Sequence, residues 1–503
     1  MTPVQQETDR RSGWRASPWT SLIVLALGFF LTMLDVSIVN IAIPDIRDDL
    51  GASLSDVLWA VNAYVLVVAV LLITAGRLGD LYGPRRLFLA GVVVFTVFSL
   101  ACGLARDPGE LIAARAFQGL GAALLLPQTM AMIVSLFPAE RRGLALGVWG
   151  AVGGVAAVVG PSLGGLLVTA LGWEWIFLVN VPVGVAAVVL TLLAVPDLRF
   201  DRRHRLDWGG IALASAGLFC LTFPLMEGER FDWAWWILAL LGAAVLTGAA
   251  FYAQQRRRQD AEPLVPFALF RDGDYRAMIV VAASVAFGII GLMLLLTLFF
   301  QSALGFSALS AGLALAPPAV ISTVLAPFAG RLTDRFDAKA ILLAGLLLTA
   351  AGMAWTAAIM EVGAAWAAFL PPMIVIGLGN GLLIAPMAAV AMRGMPPQLA
   401  GAASGVLNTV RQLGPVTAVT LVGLLVQRRV PGGEAASAAE YADTLQLGMA
   451  LPIAAIVVGA VACGPGALRA LVARPPRGGA GSAVPRPGGG GGLATAPPPP
   501  AAA

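Results

Sequence analysis

The sequence predicts an all-α integral membrane protein with fourteen membrane-spanning helices, arranged as two six-helix halves with two helices inserted between them. Three observations predict it. Of 503 residues, 59% are hydrophobic and only 12% are charged, with a mean hydropathy of +0.86; a soluble chain of this length needs far more charge to cover its surface. Fourteen apolar stretches reach the roughly 20 residues that a helix needs to cross a bilayer. Short motifs also recur eight helices apart. This arithmetic excludes a soluble enzyme, a nucleic-acid binder and a disordered scaffold.

In order, the first half comprises stretches near 19–43, 54–76, 87–105, 109–136, 143–170 and 175–195. Two more follow near 209–226 and 234–252, and the second half runs through 277–301, 309–330, 340–358, 364–391, 401–426 and 446–470. The expected organisation is a cytoplasmic tail over 1–18, a six-helix half over 19–195, inserted helices over 209–252 and a second half over 277–470. A tail rich in Gly, Pro and Ala over 474–503 is expected to be disordered. Residues 1–17 are polar and the first apolar run is too long for a signal-peptide core, so no cleaved leader is expected.

Orientation follows from the basic residues. With the N-terminus in the cytoplasm, alternation through fourteen spans puts 25 of the 32 Lys and Arg on the cytoplasmic side. Arg85, Arg86, Arg141, Arg142, Arg202, Arg203, Arg205 and Arg256 to Arg258 are among them. The acids divide almost evenly, as the positive-inside rule expects of a rule about Lys and Arg. Both termini are then cytoplasmic and the membrane is the inner one. Trp173, Trp175, Trp233, Trp235 and Trp236 gather at the proposed outer interface as an aromatic belt. The net charge of +4 therefore reflects topology, and no nucleic-acid partner is expected.

Rare residues exclude further chemistry. The single lysine, Lys339, stands between Ala338 and Ala340, so no phosphate-cradling loop exists. One histidine, His204, makes no two-histidine metal site. Cys102, Cys220 and Cys463 lie far apart in apolar stretches and read as small core residues rather than a disulfide framework. No catalytic residue, metal or cofactor is expected.

The chain repeats itself. Gly76-Arg77-Leu78-Gly79-Asp80 recurs as Gly330-Arg331-Leu332-Thr333-Asp334, 254 positions later, and Gly160-Pro161 recurs as Gly414-Pro415 at the same offset. Gly147 and Gly401 match at that offset too. Two parallel halves around a midplane cavity are an architecture of secondary transporters.

With its motifs in register over about 19–470, the chain resembles the major facilitator superfamily, specifically its fourteen-span drug:proton antiporter branch. Leu34-Asp35-Val36-Ser37-Ile38-Val39-Asn40 is similar to that branch's first-helix signature. Asp35 is the single acid placed well inside a span. Burying its charge is costly and protonation relieves the cost, which suits a carrier of one proton; permanent pairing with an arginine is the alternative. Leu111-Ile112-Ala113-Ala114-Arg115-Ala116-Phe117-Gln118-Gly119 resembles the fourth-helix motif, whose arginine assists proton transfer. Snorkelling of Arg115 to the outer surface is its alternative.

Gly76 through Arg86 resembles the signature of the loop between spans 2 and 3. Gly76, Gly79 and Gly83 permit a tight turn, and Asp80 is expected to pair with Arg85 across the seam between halves. The resemblance implies that such pairs close the cytoplasmic side, Arg86 included, with Asp334 and Arg335 as a weaker second copy. Gly147, Gly160, Pro161, Gly164 and Gly165 resemble the fifth-helix antiporter motif, where Pro and Gly build a bend and a packing face.

In the second half, Asn408, Arg411 and Gln412 place polar groups mid-span, with Asn40 and Gln118 as further candidates for lining a cavity. Arg411 is a candidate substrate contact or a counter-ion for Asp35. One acid and two arginines within spans point to a neutral or anionic amphipathic cargo. The expected function is proton-coupled efflux of drugs or antibiotics by alternating access, driven by the proton gradient, with a proton symporter importing a small metabolite as the alternative. The chain is expected to work as a monomer in the bilayer; adaptor or outer-membrane partners are not decidable from sequence.

Overall fold

A computed structural model describes residues 17–197, 207–259, 263–393, 395–429 and 438–464. The expected tails, with Arg202, Arg203, His204 and Arg205, lie wholly or mostly outside these residues. The described chain is helical throughout.

The first half contains α1 (Pro18–Ile38), α2 (Leu54–Tyr82), α3 (Pro84–Gly103), α4 (Pro108–Leu136), α5 (Ala139–Leu171) and α6 (Asn180–Ala194). The inserted pair is α7 (Trp208–Glu227) and α8 (Trp235–Arg257). The second half contains α9 (Gly273–Leu298), α10 (Ala316–Thr333), α11 (Ala338–Ala358), α12 (Leu370–Gly381, continued by Ile384–Ala391), α13 (Ala400–Arg429) and α14 (Ala450–Ala462). Helix starts follow local chemistry. Ser53 and Asp56 form a capping box at α2, and the Asp107 carboxylate accepts from the Glu110 N–H at α4, where Pro108 opens the helix.

Thirteen helices among the described residues are long and apolar enough to span a membrane. The stretch expected as a single tenth span is instead two helices, Ala308–Ala314 and α10, which meet at Leu315. Pro317 and Pro318 just after the break cannot donate to the preceding turn, and with Pro327 and Arg331 they lower the hydropathy of α10. Together the two pieces cover the length that the sequence assigned to one span.

Within the first half α2 and α3 pack on α4, and α1 on α5; within the second, α9 packs on α13 and α14, and α11 on α12. The halves meet along two seams, α2 against α13 and α5 against α10. Helices α7 and α8 pack on each other, and α7 also touches α2 and α13. Helix α8 leaves Trp235, Val245, Leu246 and Tyr252 exposed, the surface expected of a helix surrounded by lipid.

Candidate functional site

Helix α1 is apolar along most of its length, so Asp35 in its last turn stands as an isolated carboxylate, 0% exposed. Helix α4 supplies its partners from one turn. Arg115 Nη1 lies 2.5 Å from Asp35 Oδ2, and Gln118 Nε2 donates to Oδ1 at 2.9 Å. Arg115 Nη1 also reaches Gln118 Oε1 at 2.7 Å, and its Nε donates to the Ala60 carbonyl at 3.1 Å. The guanidinium stands 4.4 Å from the centre of the Tyr64 ring. A buried ion pair offsets its desolvation through further hydrogen bonds, and here Gln118 and the Ala60 carbonyl supply them. Arg115 turns inward to Asp35 and does not snorkel.

An outer shell holds the amide in place. Gln118 Nε2 donates to Ser99 Oγ at 3.1 Å, Ser99 Oγ donates to the Phe177 carbonyl, and Asn180 Nδ2 donates to Ser99 Oγ. Sequence reasoning missed this shell. Ala60 contributes only backbone and Ser99 lies in no motif. Asn180 follows Trp173 and Trp175, which the aromatic belt accounts for without it.

At one end of the bundle the seams are closed by two related contacts. Helix α2 runs six residues past its expected end, which brings Asp80 inside the helix and buries it. Gly83, at φ +93°, then turns the chain directly into α3. The expected Asp80–Arg85 pair is not formed. Asp80 Oδ1 and Oδ2 accept from the N–H groups of Gly401 and Ala402, each at 2.8 Å, and Arg77 Nη1 stands 4.0 Å away. Arg85 instead donates to the Leu192 carbonyl at 2.9 Å, and Arg86 is exposed.

The second copy repeats the geometry. Asp334 does not pair with Arg335, which is exposed; it accepts from the N–H groups of Gly143 at 2.9 Å and Leu144 at 3.0 Å. At Asp80 the donors come from the first turn of α13, whose N–H groups lack partners within the helix and sit at the positive end of its dipole, so two carboxylate oxygens satisfy them better than a solvated arginine does. Gly143 and Leu144 lie one turn further in, in the second turn of α5, which begins at Ala139. Burial pushes the Asp334 carboxyl above its ordinary value, opposed by these two N–H donors.

Glycines let the seams close. A Cβ on Gly76 would fall on the Gly401 carbonyl oxygen and lie 3.0 Å from the Gly405 Cα; one on Gly147 would lie 2.9 Å from the Gly330 Cα. The offset of 254 maps Gly76 to Gly330 and Gly147 to Gly401, so the two contacts are copies related by the internal repeat.

Toward the other end the halves diverge. Gly401, Gly405, Asn408, Gln412, Pro415 and Val419 follow helical spacing along one face of α13. The first two are buried, the next three half-buried, and Val419 is 49% exposed. On α5, Gly147 is buried, Gly154 half-buried and Pro161 exposed. The fifth-helix motif therefore divides its work: Gly147 meets α10, Gly160 and Gly164 lie against Ser37 and Ile38 of α1, and a Cβ on Gly165 would enter open space. Asn40 is exposed and donates to the Val36 carbonyl. Arg411 is not the counter-ion of Asp35, whose oxygens are taken by Arg115 and Gln118.

Comparison with known proteins agrees with this architecture. The chain is 37% identical to the tetracenomycin C resistance and export protein of Streptomyces glaucescens, over 83% of this chain and 78% of that protein. It is 35% identical to the cephamycin export protein CmcT of Amycolatopsis lactamdurans, over 89% and 93% respectively. The crystal structure of the human organic anion transporter MFSD10 (TETRAN) superposes with a TM-score of 0.62 at 15% identity, covering 87% of this chain and 99% of that one; that likeness carries the fold alone. The Major Facilitator Superfamily domain matches residues 25–419, and the chain belongs to that family of membrane transporters.

Proposed function

We propose that the protein exports small amphipathic compounds, antibiotics among them, across the inner membrane in exchange for protons. The observation that carries this is Asp35, a fully buried carboxylate held by Arg115 and Gln118 beside a seam that is closed at one end. Export fits the named relatives, two of which are antibiotic exporters. Both termini are taken as cytoplasmic, from the bias of 25 of 32 Lys and Arg. The closed end is then cytoplasmic and the cleft faces outward.

In this scheme an outside proton neutralises Asp35 and removes the charge that holds Arg115. Helix α1 is then free to shift against α4. Movement of α1 is passed to α5, because Ser37 Oγ donates to the Ala156 carbonyl at 3.2 Å and Gly160 and Gly164 pack on Ser37 and Ile38. Helix α5 carries Gly143 and Leu144, which hold Asp334, and so reaches the closed end. Reorientation exposes the site to the cytoplasm, where Asp35 loses its proton and cargo binds. Asp80 and Asp334 act as the cytoplasmic latch. The protein works as a single chain, needs no cofactor and draws its energy from the proton gradient.

The test is cargo uptake by inside-out vesicles containing the protein, with tetracenomycin C and cephamycin as trial cargoes. Acidifying the lumen is expected to drive uphill accumulation, and nigericin to abolish it. Accumulation that persists after the pH gradient is collapsed would contradict the proposal.

A further inference from the structure

The cleft holds a charge that the exchange scheme does not use. Gly405 of α13 abuts the Leu72 carbonyl of α2, while Gly414 and Ala418 of the same helix abut α9 at Ala286 and Gly291. At 100° per residue, Arg411 lies in the sector between these two faces. That sector points into the space between the halves, one turn from Asn408 and Pro415. Arg411 is half-buried and has no ion pair, hydrogen bond or ring contact among the described residues. Its neighbour Gln412 likewise has no hydrogen-bond partner among them.

In the first half the charges cancel, Asp35 against Arg115. The acids of the second half's described helices belong to end segments: Asp274 opens α9 and is taken by Lys339, while Glu440 and Asp443 lie on the short helix Ala438–Gly448. Among the described residues Arg411 is thus a mid-span charge with no counter-ion. An arginine in a low-dielectric cleft keeps its proton, and its planar fork fits a carboxylate or sulfonate. From this geometry we infer that Arg411 receives the anionic group of the cargo, with Gln412 beside it. The transported class is then an amphipathic anion, an apolar body bearing one carboxylate or sulfonate. This rests on the export proposal and narrows it.

The experiment is equilibrium binding to the purified full-length protein in detergent, with 1-pyrenebutyrate and its methyl ester as paired probes. The native protein is expected to prefer the carboxylate. Arg411→Gln should weaken pyrenebutyrate binding about 10- to 100-fold, the size of a lost charge-assisted hydrogen bond, and leave the ester unchanged. Arg411→Lys should recover part of the loss. Equal affinity of the native protein for both probes would overturn the inference, as would equal weakening of both by Arg411→Gln. Loss of both probes in the Gln and Lys variants alike would make Arg411 structural and overturn it too. Binding needs no proton gradient, so a failure here leaves proton exchange standing, and a failure of the vesicle test leaves this result intact.

Discussion

Asp80→Asn probes the latch most sharply. The carboxylate accepts two N–H groups from the first turn of α13 at 2.8 Å each. A carboxamide keeps one acceptor and turns an NH2 group toward the other donor. One charge-assisted hydrogen bond is lost, worth about 2 kcal/mol at this burial, or roughly a 30-fold shift in the closed-to-open equilibrium. If about 1% of molecules are open at this end, the variant should hold roughly one in five open. The assay is a distance distribution between spin labels at Tyr82 and Gln398, both exposed at this end, on a background with Cys102, Cys220 and Cys463 replaced. The native protein should give one short distance and Asp80→Asn a second, longer population. Asp334→Asn should open the end less, because Asp334 is only half-buried. An unchanged distribution in Asp80→Asn, or a larger effect of Asp334→Asn, would refute the reasoning.

Three further outcomes are expected. Gly76→Ala and Gly330→Ala each put a Cβ onto backbone atoms that cannot move aside, so both should populate the longer label distance and slow transport at least roughly tenfold; native-like transport in either would count against the seam. Arg115→Gln leaves the Asp35 carboxylate buried and unmatched, a loss of about 3–5 kcal/mol. Thermal unfolding in detergent should shift down clearly, and the double variant Asp35→Asn/Arg115→Gln should recover most of it; a double variant no more stable than the single one would contradict the pairing. Asn62→Ala removes the 2.9 Å hydrogen bond that ties buried Glu227 of α7 to α2, costing about 1–3 kcal/mol. Amide exchange in the last turn of α7 should rise, and unchanged protection would show that α7 is held by apolar packing alone.

What was legible in the sequence follows from what a membrane forbids. Charges within spans are so costly that Asp35 and Arg115 stand out from hundreds of apolar residues, and the structure brings them within 2.5 Å. The repeat at 254 was equally plain, and it relates the two seam contacts, Gly76 on Gly401 and Gly330 on Gly147. The partners of Asp80 and Asp334 were not legible, because motif reasoning pairs side chains with side chains and these carboxylates bind backbone N–H groups from the opposite half. The end of α2 was set too early because Arg77 and Asp80 look like loop residues, whereas the helix carries them to Tyr82. Pro317 and Pro318 lie just past the break at Leu315, within an apolar run whose length alone suggests one unbroken span. The contact of Glu227 with Asn62, 165 residues away in sequence, left no local trace.

The whole scheme depends on one carboxyl group exchanging its proton as the halves rock. The most direct measurement uses Asp35→Asn in proteoliposomes, with cargo followed both as exchange at equal pH and as accumulation against a concentration gradient under an imposed pH difference. The variant is expected to keep exchange and lose accumulation. An Asp35→Asn protein that still drives cargo uphill at the native rate would place proton coupling elsewhere in the molecule.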